Sequence, residues 1–231
     1  MNQDELKALV ANAAKDEVMA TVGPGQIIGI GTGSTANLFI DALAEHRNHF
    51  AGAVSSSLAS TERLQQHGFK VYEANDVESL PVYVDGADEI DPEGHMIKGG
   101  GAALTREKIV AQLASRFICI CDSSKQVNVL GAFPLPIEVI PMAASQIKRA
   151  LQSLTGGEIQ LRMSKSDPSK PLVTDNQGWI LDIKGLKISS PLELEAQINQ
   201  IPGVICNGIF AKRKADLLLV GSESGVGSIK F

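Results

Sequence analysis

A short segment in the first half of the chain brings together the residue types that proton-transfer chemistry needs. Asp85 and Asp88 follow an apolar run that predicts a buried strand, and Lys98 comes after them. Three consecutive glycines follow, and Glu107 falls in the first or second turn of a predicted helix. A carboxylate base, a cation and unobstructed glycine amides are the groups that move a proton beside a carbonyl and stabilise the resulting charge. The alternative is an acidic loop before a flexible linker, but a linker does not need the flanking strand and helix.

A glycine-rich turn after the first predicted strand has the composition of a phosphate site. Its residues are Thr32, Gly33, Ser34 and Thr35. A helix is predicted to begin near Ala36, and backbone amides and hydroxyls at a helix start bind phosphate. No Gly-Lys-Ser/Thr motif is present, and the dinucleotide pattern is incomplete because Ser34 stands where its third glycine would be. A small phosphate ester therefore fits better than a nucleotide, although a tight structural turn explains the segment equally well.

Two lysines are further candidates for contact with an anion. Lys125 follows the strand predicted at 117–121, and α/β sheets bind ligands at the carboxyl ends of strands. Asp4 is predicted to cap the first helix, which places Lys7 in its first turn. A cation there opposes the helix dipole by about 0.3–1 kcal/mol. Lys7 is thus an ordinary exposed lysine unless an anion lies nearby.

Strands alternate with helices over the first half of the chain, which predicts an α/β fold with a doubly wound, mostly parallel, Rossmann-like sheet. Further along, prolines bracket a strand at 137–140, which should not lie unbroken in a central position. The elements around it predict a smaller α+β domain inserted before the C-terminal strands. The predicted domains are a catalytic domain of residues 1–132 plus 204–231, and a small domain of residues 133–203.

Composition excludes several classes of function. The 231 residues are 44% hydrophobic with a net charge of −5 and no run of Lys or Arg, so no nucleic-acid partner is expected. No apolar run approaches the ~18 residues of a membrane span, and the first residues do not resemble a signal peptide. A cytoplasmic protein with no membrane partner is expected. Cys119, Cys121 and Cys206 form no Cys-x-x-Cys pair, which predicts free buried thiols rather than a metal or redox site.

Six longer motifs lie between residues 31 and 139 and are highly specific together. They are Gly-Thr-Gly-Ser-Thr-Ala at 31–36, Val-Ser-Ser-Ser-x-Ala-Ser-Thr-Glu at 54–62, Val-Asp-Gly-Ala-Asp-Glu at 84–89, Met-Ile-Lys-Gly-Gly-Gly-Ala-Ala-Leu-Thr-Arg-Glu-Lys at 96–108, Asp-x-Ser-Lys at 122–125 and Phe-Pro-Leu-Pro-Ile-Glu-Val at 133–139. Together they resemble ribose-5-phosphate isomerase, type A. The resemblance implies interconversion of ribose 5-phosphate and ribulose 5-phosphate in the non-oxidative pentose phosphate pathway. It also implies that no metal or other cofactor takes part, and a homodimer, with a tetramer as the other possibility.

The resemblance also implies roles for single residues. Glu107 is similar to the base that moves the proton between carbons 1 and 2, and Lys98 to the cation beside the reacting oxygens. Asp85 and Asp88 are similar to the sugar-binding and ring-opening acids, and Asp85 is the better candidate for ring opening because it comes first off the strand. The other implied substrate-binding residues are Thr32, Gly33, Ser34, Thr35, Gly86, Ala87, Gly99, Gly100, Gly101, Lys125 and Lys7.

A sugar-phosphate sensor without catalytic activity is the competing hypothesis, because such regulatory domains share a similar sheet and phosphate turn. A sensor would normally carry a helix-turn-helix segment with a basic face. Residues 1–25 offer none, and a sensor has no need of both Glu107 and Lys98. The sequence therefore favours the enzyme.

Overall fold

The computed structural model describes all 231 residues, Met1–Phe231. Its helices are α1 (Gln3–Thr21), α2 (Ser34–Leu43), α3 (Leu58–Gln66), α4 (Leu104–Leu113), α5 (Ala144–Thr155) and α6 (Pro191–Asn199). Its strands are β1 (Ile27–Ile30), β2 (Gly52–Ser55), β3 (Tyr83–Asp85), β4 (Glu89–Ile90), β5 (Met96–Ile97), β6 (Phe117–Asp122), β7 (Leu135–Val139), β8 (Glu158–Leu161), β9 (Trp179–Lys184), β10 (Val204–Asn207), β11 (Ile209–Phe210), β12 (Leu217–Ser222) and β13 (Gly225–Lys230). None of the helices is long and apolar enough to cross a bilayer.

Contacts between residues divide the chain into two compact units. The first comprises residues 1–87, 106–126 and 213–231, and the second comprises residues 88–105 and 127–212. Three segments that the sequence analysis assigns to the catalytic domain belong to the second unit, namely residues 88–105, 127–132 and 204–212. Two of these segments contribute β4, β5 and β11, which pair in a three-stranded antiparallel sheet of order β11-β5-β4. The boundary between the two units therefore depends on strand pairing between segments that are far apart in sequence, such as β5 and β11.

The first unit is built on a six-stranded sheet of order β13-β12-β6-β3-β1-β2. All neighbouring strands are parallel except those of the β12–β13 hairpin. Every residue of β6 is buried, as expected for an inner strand of a parallel sheet covered on both faces. Helix α1 packs its buried stripe on this sheet, which is why Val10, Ala14 and Val18 recur at helical spacing. The predicted α/β fold with a mostly parallel, Rossmann-like sheet is confirmed.

Helix α1 begins earlier than its predicted cap requires. Its N-cap is Asn2 rather than Asp4, because the Asn2 side chain accepts the amide N–H of Glu5 at 2.9 Å. The Glu5 carboxylate accepts the N–H of Asn2 in return, at 2.8 Å. This reciprocal capping box satisfies two amides, which one cap at Asp4 would not. Lys7 consequently lies in the second turn of the helix, and the predicted position in the first turn is wrong.

The second unit contains a four-stranded antiparallel sheet of order β10-β7-β9-β8 in addition to the three-stranded sheet. The sequence predicts that the proline-bracketed strand does not lie unbroken in a central position. β7 does lie between β10 and β9, but its ladder with β10 is irregular between Val204 and Cys206. Pro136 is tolerated because the ladder between β7 and β10 ends at Ile137. No residue of β10 therefore needs the backbone N–H that proline lacks. The carbonyl of Pro136 accepts the N–H of Gly208 at 2.8 Å instead.

Candidate active site

The strand order of the first unit reverses at β1. β2 lies on one side of β1, whereas β3 and β6 lie on the other. Such a reversal opens a crevice at the carboxyl ends of the strands, where α/β proteins bind their ligands. Thr32 follows the end of β1 and Asp85 is the last residue of β3. Two of the segments that the sequence singled out therefore meet at the position that the topology favours.

Asp85 is fully buried and its carboxylate is held by several donors. Oδ1 accepts the backbone N–H of Gly86 at 2.7 Å and that of Thr32 at 3.1 Å. Oδ2 accepts the hydroxyl of Tyr83. The strand end of β1 approaches so closely that a Cβ atom on Gly31 would lie 2.0 Å from Cγ of Asp85. The backbone of two strands thus determines the orientation of this carboxylate.

Tyr83 is a buried neighbour of both predicted acids of the first unit. Burial raises the pKa of its hydroxyl well above 10.0, and the negative charges of Asp85 and Glu107 raise it further. A hydrogen bond with Ser56 acts in the opposite direction. Tyr83 therefore remains a protonated, neutral donor at any pH near neutrality.

Glu107 lies in the first turn of α4 and is 3% exposed. A carboxylate in that position is favoured by the partial positive charge at the helix N-terminus. Its effect on the hydroxyl of Tyr83 places its negative charge near the carboxyl end of β3. Two buried carboxylates, Asp85 and Glu107, thus act on one tyrosine hydroxyl in the first unit.

The predicted phosphate turn is the start of α2. Gly33 is the N-cap with φ +115°, a conformation that favours glycine, and no side chain caps the helix. Ser34 and Thr35 are its first two residues, so the helix begins before Ala36, its predicted start. The first amides of a helix without a side-chain cap are available to an anion.

Serine hydroxyls from the region after β2 stabilise this turn. The hydroxyl of Thr32 lies 2.7 Å from that of Ser56, and Ser60 donates its hydroxyl to the carbonyl of Gly31 at 2.8 Å. Ser56 and Ser60 are both buried. They connect the end of β2 to the start of α2, and they give the turn a fixed geometry before any ligand binds.

The two candidate lysines of the first unit differ in their surroundings. Lys125 ends a 3-10 turn, Ser123–Lys125, directly after β6, at the same edge of the sheet as Asp85. Burial raises the pKa of Asp122, but hydrogen bonds from Ser124 and the charge of Lys125 outweigh it and leave that pKa below 3.8. Lys7 lies in α1 and pairs with Asp4 at 3.4 Å.

In the second unit, Asp88 accepts the amide N–H of Gly100 at 2.8 Å. Arg162 donates Nη1 to the carbonyls of Gly99 at 2.9 Å and Gly100 at 3.1 Å. Its Nε and Nη2 form a bidentate pair with Asp182 at 2.7 and 2.5 Å. Because N–H and C=O point in opposite directions in a trans peptide, the amide of residue 101 points away from Arg162. One guanidinium thus orients the glycine segment.

Lys98 is 3% exposed although it carries an ammonium group. Its backbone N–H donates to the carbonyl of Gly208 at 2.9 Å, which anchors it to the chain before β11. Its Nζ atom lies 5.4 Å from the centroid of the Phe210 ring, within the range of a cation–π interaction. A buried, anchored cation of this kind is suited to an anionic ligand or intermediate.

Comparison with known proteins identifies the family. The model of ribose 5-phosphate isomerase A (phosphoriboisomerase A) matches residues 52–225. A protein named ribose-5-phosphate isomerase A from Polynucleobacter asymbioticus is 64% identical over 236 residues, which cover 99% of each chain. The chain belongs to the ribose 5-phosphate isomerase A family. The relative's match includes both the turn at Thr32 and the acids around Asp85.

Solved structures of the ribose 5-phosphate isomerase A family have the same fold. The ribose 5-phosphate isomerase A of Neisseria gonorrhoeae is 44% identical with a TM-score of 0.92, over 99% of this chain and 97% of its own. A D-ribose-5-phosphate isomerase solved in complex with phospho-erythronic acid is 38% identical with a TM-score of 0.91, over 100% of both chains.

Sequence reasoning did not identify four residues that organise these groups, namely Tyr83, Ser56, Ser60 and Arg162. Alternation along β3 was a usable signal for Tyr83, because residues two apart in a strand share a face with one another. The family motif at 54–62 contains both serines. Arg162 carries no local signal, since it acts on carbonyls more than 60 positions away in the chain.

Proposed function

We propose that this chain interconverts ribose 5-phosphate and ribulose 5-phosphate through an enediolate, with Glu107 as the base. Membership of the ribose 5-phosphate isomerase A family supports the reaction and its place in the pentose phosphate pathway. The observation that carries the assignment of residues is the pair of buried carboxylates, Asp85 and Glu107, that act on the Tyr83 hydroxyl. A sugar-phosphate sensor has no need of two such groups.

In this proposal Asp85 opens the sugar ring. It takes the proton of the C1 hydroxyl, and the protonated Asp85 gives that proton to the ring oxygen as the bond between the ring oxygen and C1 breaks. The open aldehyde results without net gain or loss of a proton. Asp85 suits this role because the backbone at the ends of β1 and β3 holds its carboxylate in one orientation.

Glu107 then carries out the isomerisation. It removes the proton from C2, which leaves the enediolate with its negative charge on O1. The protonated Glu107 returns that proton to C1, and the hydroxyl proton of O2 passes to O1, which yields the ketose. A single carboxylate serves both carbons, and such a base contributes about 10²–10⁴-fold to the rate.

Lys98 and the glycine segment stabilise the enediolate in the proposed mechanism. The ammonium of Lys98 offers a full positive charge, and backbone amides offer dipoles that need no reorganisation. The amide of Gly100 already donates to Asp88, so we assign the contribution of the glycines to Gly101. This gives Asp88 the task of holding the glycine segment, and it leaves ring opening to Asp85.

The start of α2 binds the phosphate group in this proposal, with Lys125 and Lys7 as its cations. Phospho-erythronic acid, the compound bound by a structural relative, combines a phosphate with a carboxylate that has the planar shape of the enediolate. We therefore expect it to inhibit this chain in competition with ribose 5-phosphate. Plain ribose should be a very poor substrate, and Lys125→Ala and Lys7→Ala should weaken binding of ribose 5-phosphate while sparing the residual activity on ribose.

The direct test is to incubate the purified protein with ribose 5-phosphate and to measure formation of the ketose. Turnover supports the proposal. Binding of ribose 5-phosphate without turnover would instead support the sensor. The same assay with ribulose 5-phosphate tests the reverse reaction.

A homodimer in the cytoplasm is the assembly and location that we propose. Residues 133–203 carry exposed apolar side chains, including Met142 at 94%, Val173 at 53% and Leu192 at 56% exposure, which suit a subunit interface. Light scattering on the purified protein distinguishes a dimer from a tetramer and a monomer. Cell fractionation tests the location.

A further inference from the structure

Tyr83 is locked in position beneath Asp85. The two residues are two apart on β3, so their side chains share one face of the strand. The Tyr83 ring packs against Phe117, with ring centroids 4.9 Å apart and an angle of 50° between the planes. Its cross-strand neighbour is Gly29, where a Cβ atom would lie 2.9 Å from Cδ2 of the ring. A glycine in β1 thus makes room for the tyrosine, and the hydroxyl has little freedom to move.

The hydroxyl of Tyr83 has a defined hydrogen-bond direction. It donates to Oδ2 of Asp85, and it also forms a hydrogen bond with Ser56. The Oδ1 atom of Asp85 is held by two backbone amides, which ordinary side-chain substitutions leave in place. The donor to Oδ2 is the side chain of Tyr83, so a substitution at Tyr83 removes this hydrogen bond and leaves the two backbone hydrogen bonds in place.

A neutral donor suits this place better than a cation would. Asp85 and Glu107 both act on the hydroxyl, and an ammonium or guanidinium there would pair with them and compete for their role as bases. A hydroxyl orients a carboxylate without neutralising it. In this arrangement Tyr83 acts on the sugar through Asp85, because its hydroxyl donates to Oδ2 of that residue.

We propose that Tyr83 is a positioning residue for ring opening, which orients Oδ2 of Asp85 toward the sugar. This inference rests on the proposed function, since it assigns ring opening to Asp85. Nothing in it requires Tyr83 to exchange a proton with the substrate.

Exchange of a carbon-bound proton with solvent separates isomerisation from ring opening. Ribose 5-phosphate closes into a furanose ring, which must open before C2 can be deprotonated. Ribulose 5-phosphate has its terminal oxygen blocked by phosphate and reacts as an open chain. When a base removes a proton from C1 of ribulose 5-phosphate and returns a deuteron from heavy water, the label enters the ketose without any ring opening or closing. A defect in ring opening therefore lowers kcat/KM from ribose 5-phosphate, lowers net conversion in the reverse direction equally because the equilibrium constant is fixed, and spares this exchange.

The test is Tyr83→Phe, assayed for initial rates from ribose 5-phosphate and for deuterium exchange at C1 of ribulose 5-phosphate in heavy water. We expect kcat/KM from ribose 5-phosphate to fall about tenfold, the loss of a hydrogen bond to a charged group, and the exchange rate to fall less than about threefold. The chain offers a matched control, because its only other tyrosine is Tyr72, whose ring contacts Lys70. Tyr72→Phe should change neither rate. Equal losses in conversion and in exchange, or no loss from ribose 5-phosphate, would overturn the role of Tyr83.

A second measurement does not depend on how well Tyr83→Phe folds. In the Tyr72→Phe background, incorporation of 3-fluorotyrosine labels Tyr83 alone. We expect its ¹⁹F resonance to move on Asp85→Asn and to stay unchanged on Lys148→Ala, a variant on the exposed side of α5. A resonance that does not shift on Asp85→Asn would contradict the contact between Tyr83 and Asp85. Failure of the proposed function gives a different result, because the unmodified protein would then show no turnover in either direction.

Discussion

Asp85 and Asp88 stand three positions apart, yet their surroundings have little in common. Asp85 ends a central strand and is fully buried, and the protein holds its carboxylate through backbone amides and Tyr83. Asp88 is partly exposed and holds the backbone of Gly100. In the first case the fold orients the acid, and in the second the acid orients a segment of the fold. Two acids of one motif therefore have different tasks.

Replacing each acid by its amide is the strongest way to test this difference. Asp85→Asn should lower kcat/KM from ribose 5-phosphate by about 10²–10⁴-fold, because it removes the acid–base group for ring opening. Asp88→Asn keeps an oxygen that accepts from Gly100, so we expect a loss of about tenfold or less. Steady-state kinetics of both variants decides the matter. A larger loss for Asp88→Asn would reverse the two assignments.

The glycines beside the two acids provide a steric version of the same test. A Cβ on Gly31 would lie 2.0 Å from Cγ of Asp85, whereas a Cβ on Gly100 would lie 2.7 Å from Oδ1 of Asp88. A Cβ on Gly31 would also lie 2.4 Å from Cβ of Asp85, so Gly31→Ala should displace the carboxylate that we propose for ring opening and lower kcat by about 10²-fold. The side chain of Asp88 is able to rotate away, so Gly100→Ala should cost less. Equal losses would mean that Asp85 is as mobile as Asp88.

Arg162 should matter for turnover more than for stability. Arg162→Lys loses the planar fork that binds Asp182 and the two glycine carbonyls together, and we expect kcat to fall about tenfold. Arg63 is a matched control, because it forms the same bidentate pair with Asp41 at 2.8 and 2.5 Å. Thermal unfolding should change alike in Arg162→Lys and Arg63→Lys, while Arg63→Lys leaves kcat unchanged. If both variants keep full activity, the orientation of the glycine segment does not depend on Arg162.

The smallest expected effect is that of a chelator. No group of three or more His, Cys, Asp or Glu side chains is arranged to hold a metal ion. Asp91, which continues the spacing of Asp85 and Asp88, accepts the amides of Glu93 and His95 and pairs with the His95 ring at 2.9 Å. Activity should survive exhaustive treatment with EDTA. Loss of activity that magnesium or zinc restores would contradict this prediction.

Local patterns predicted the parts of the molecule that depend on short segments. The strand before Thr32, the buried strand β6 and the helix that carries Glu107 all follow from runs of apolar residues and their boundaries. The sequence predicts the cap of α1 at Asp4 instead of Asn2, because both residues are good caps and only the reciprocal contact with Glu5 decides between them. The error moved Lys7 by half a turn.

Contacts across the fold were beyond the reach of these patterns. The proposed role of the Tyr83 hydroxyl depends on Asp85, which accepts its hydrogen bond, and on Gly29 of the next strand, which leaves room for the ring. Pro136 is compatible with a central strand because of where the neighbouring ladder ends, which depends on residues more than 60 positions later. Arg162 likewise reaches glycines that are distant in sequence. Each of these outcomes depends on strand order and register, which a single sequence does not specify.

Glu107→Gln is the most direct test of the central claim that one carboxylate transfers the proton. Glutamine keeps the shape of glutamate and cannot accept a proton. We predict a loss of more than about 10²-fold in kcat, equal from ribose 5-phosphate and from ribulose 5-phosphate, with unchanged thermal unfolding. Incorporation of deuterium from heavy water at the reacting carbon should fall in parallel. A loss of only a few-fold, or one confined to a single direction, would contradict the assignment of Glu107 as the base.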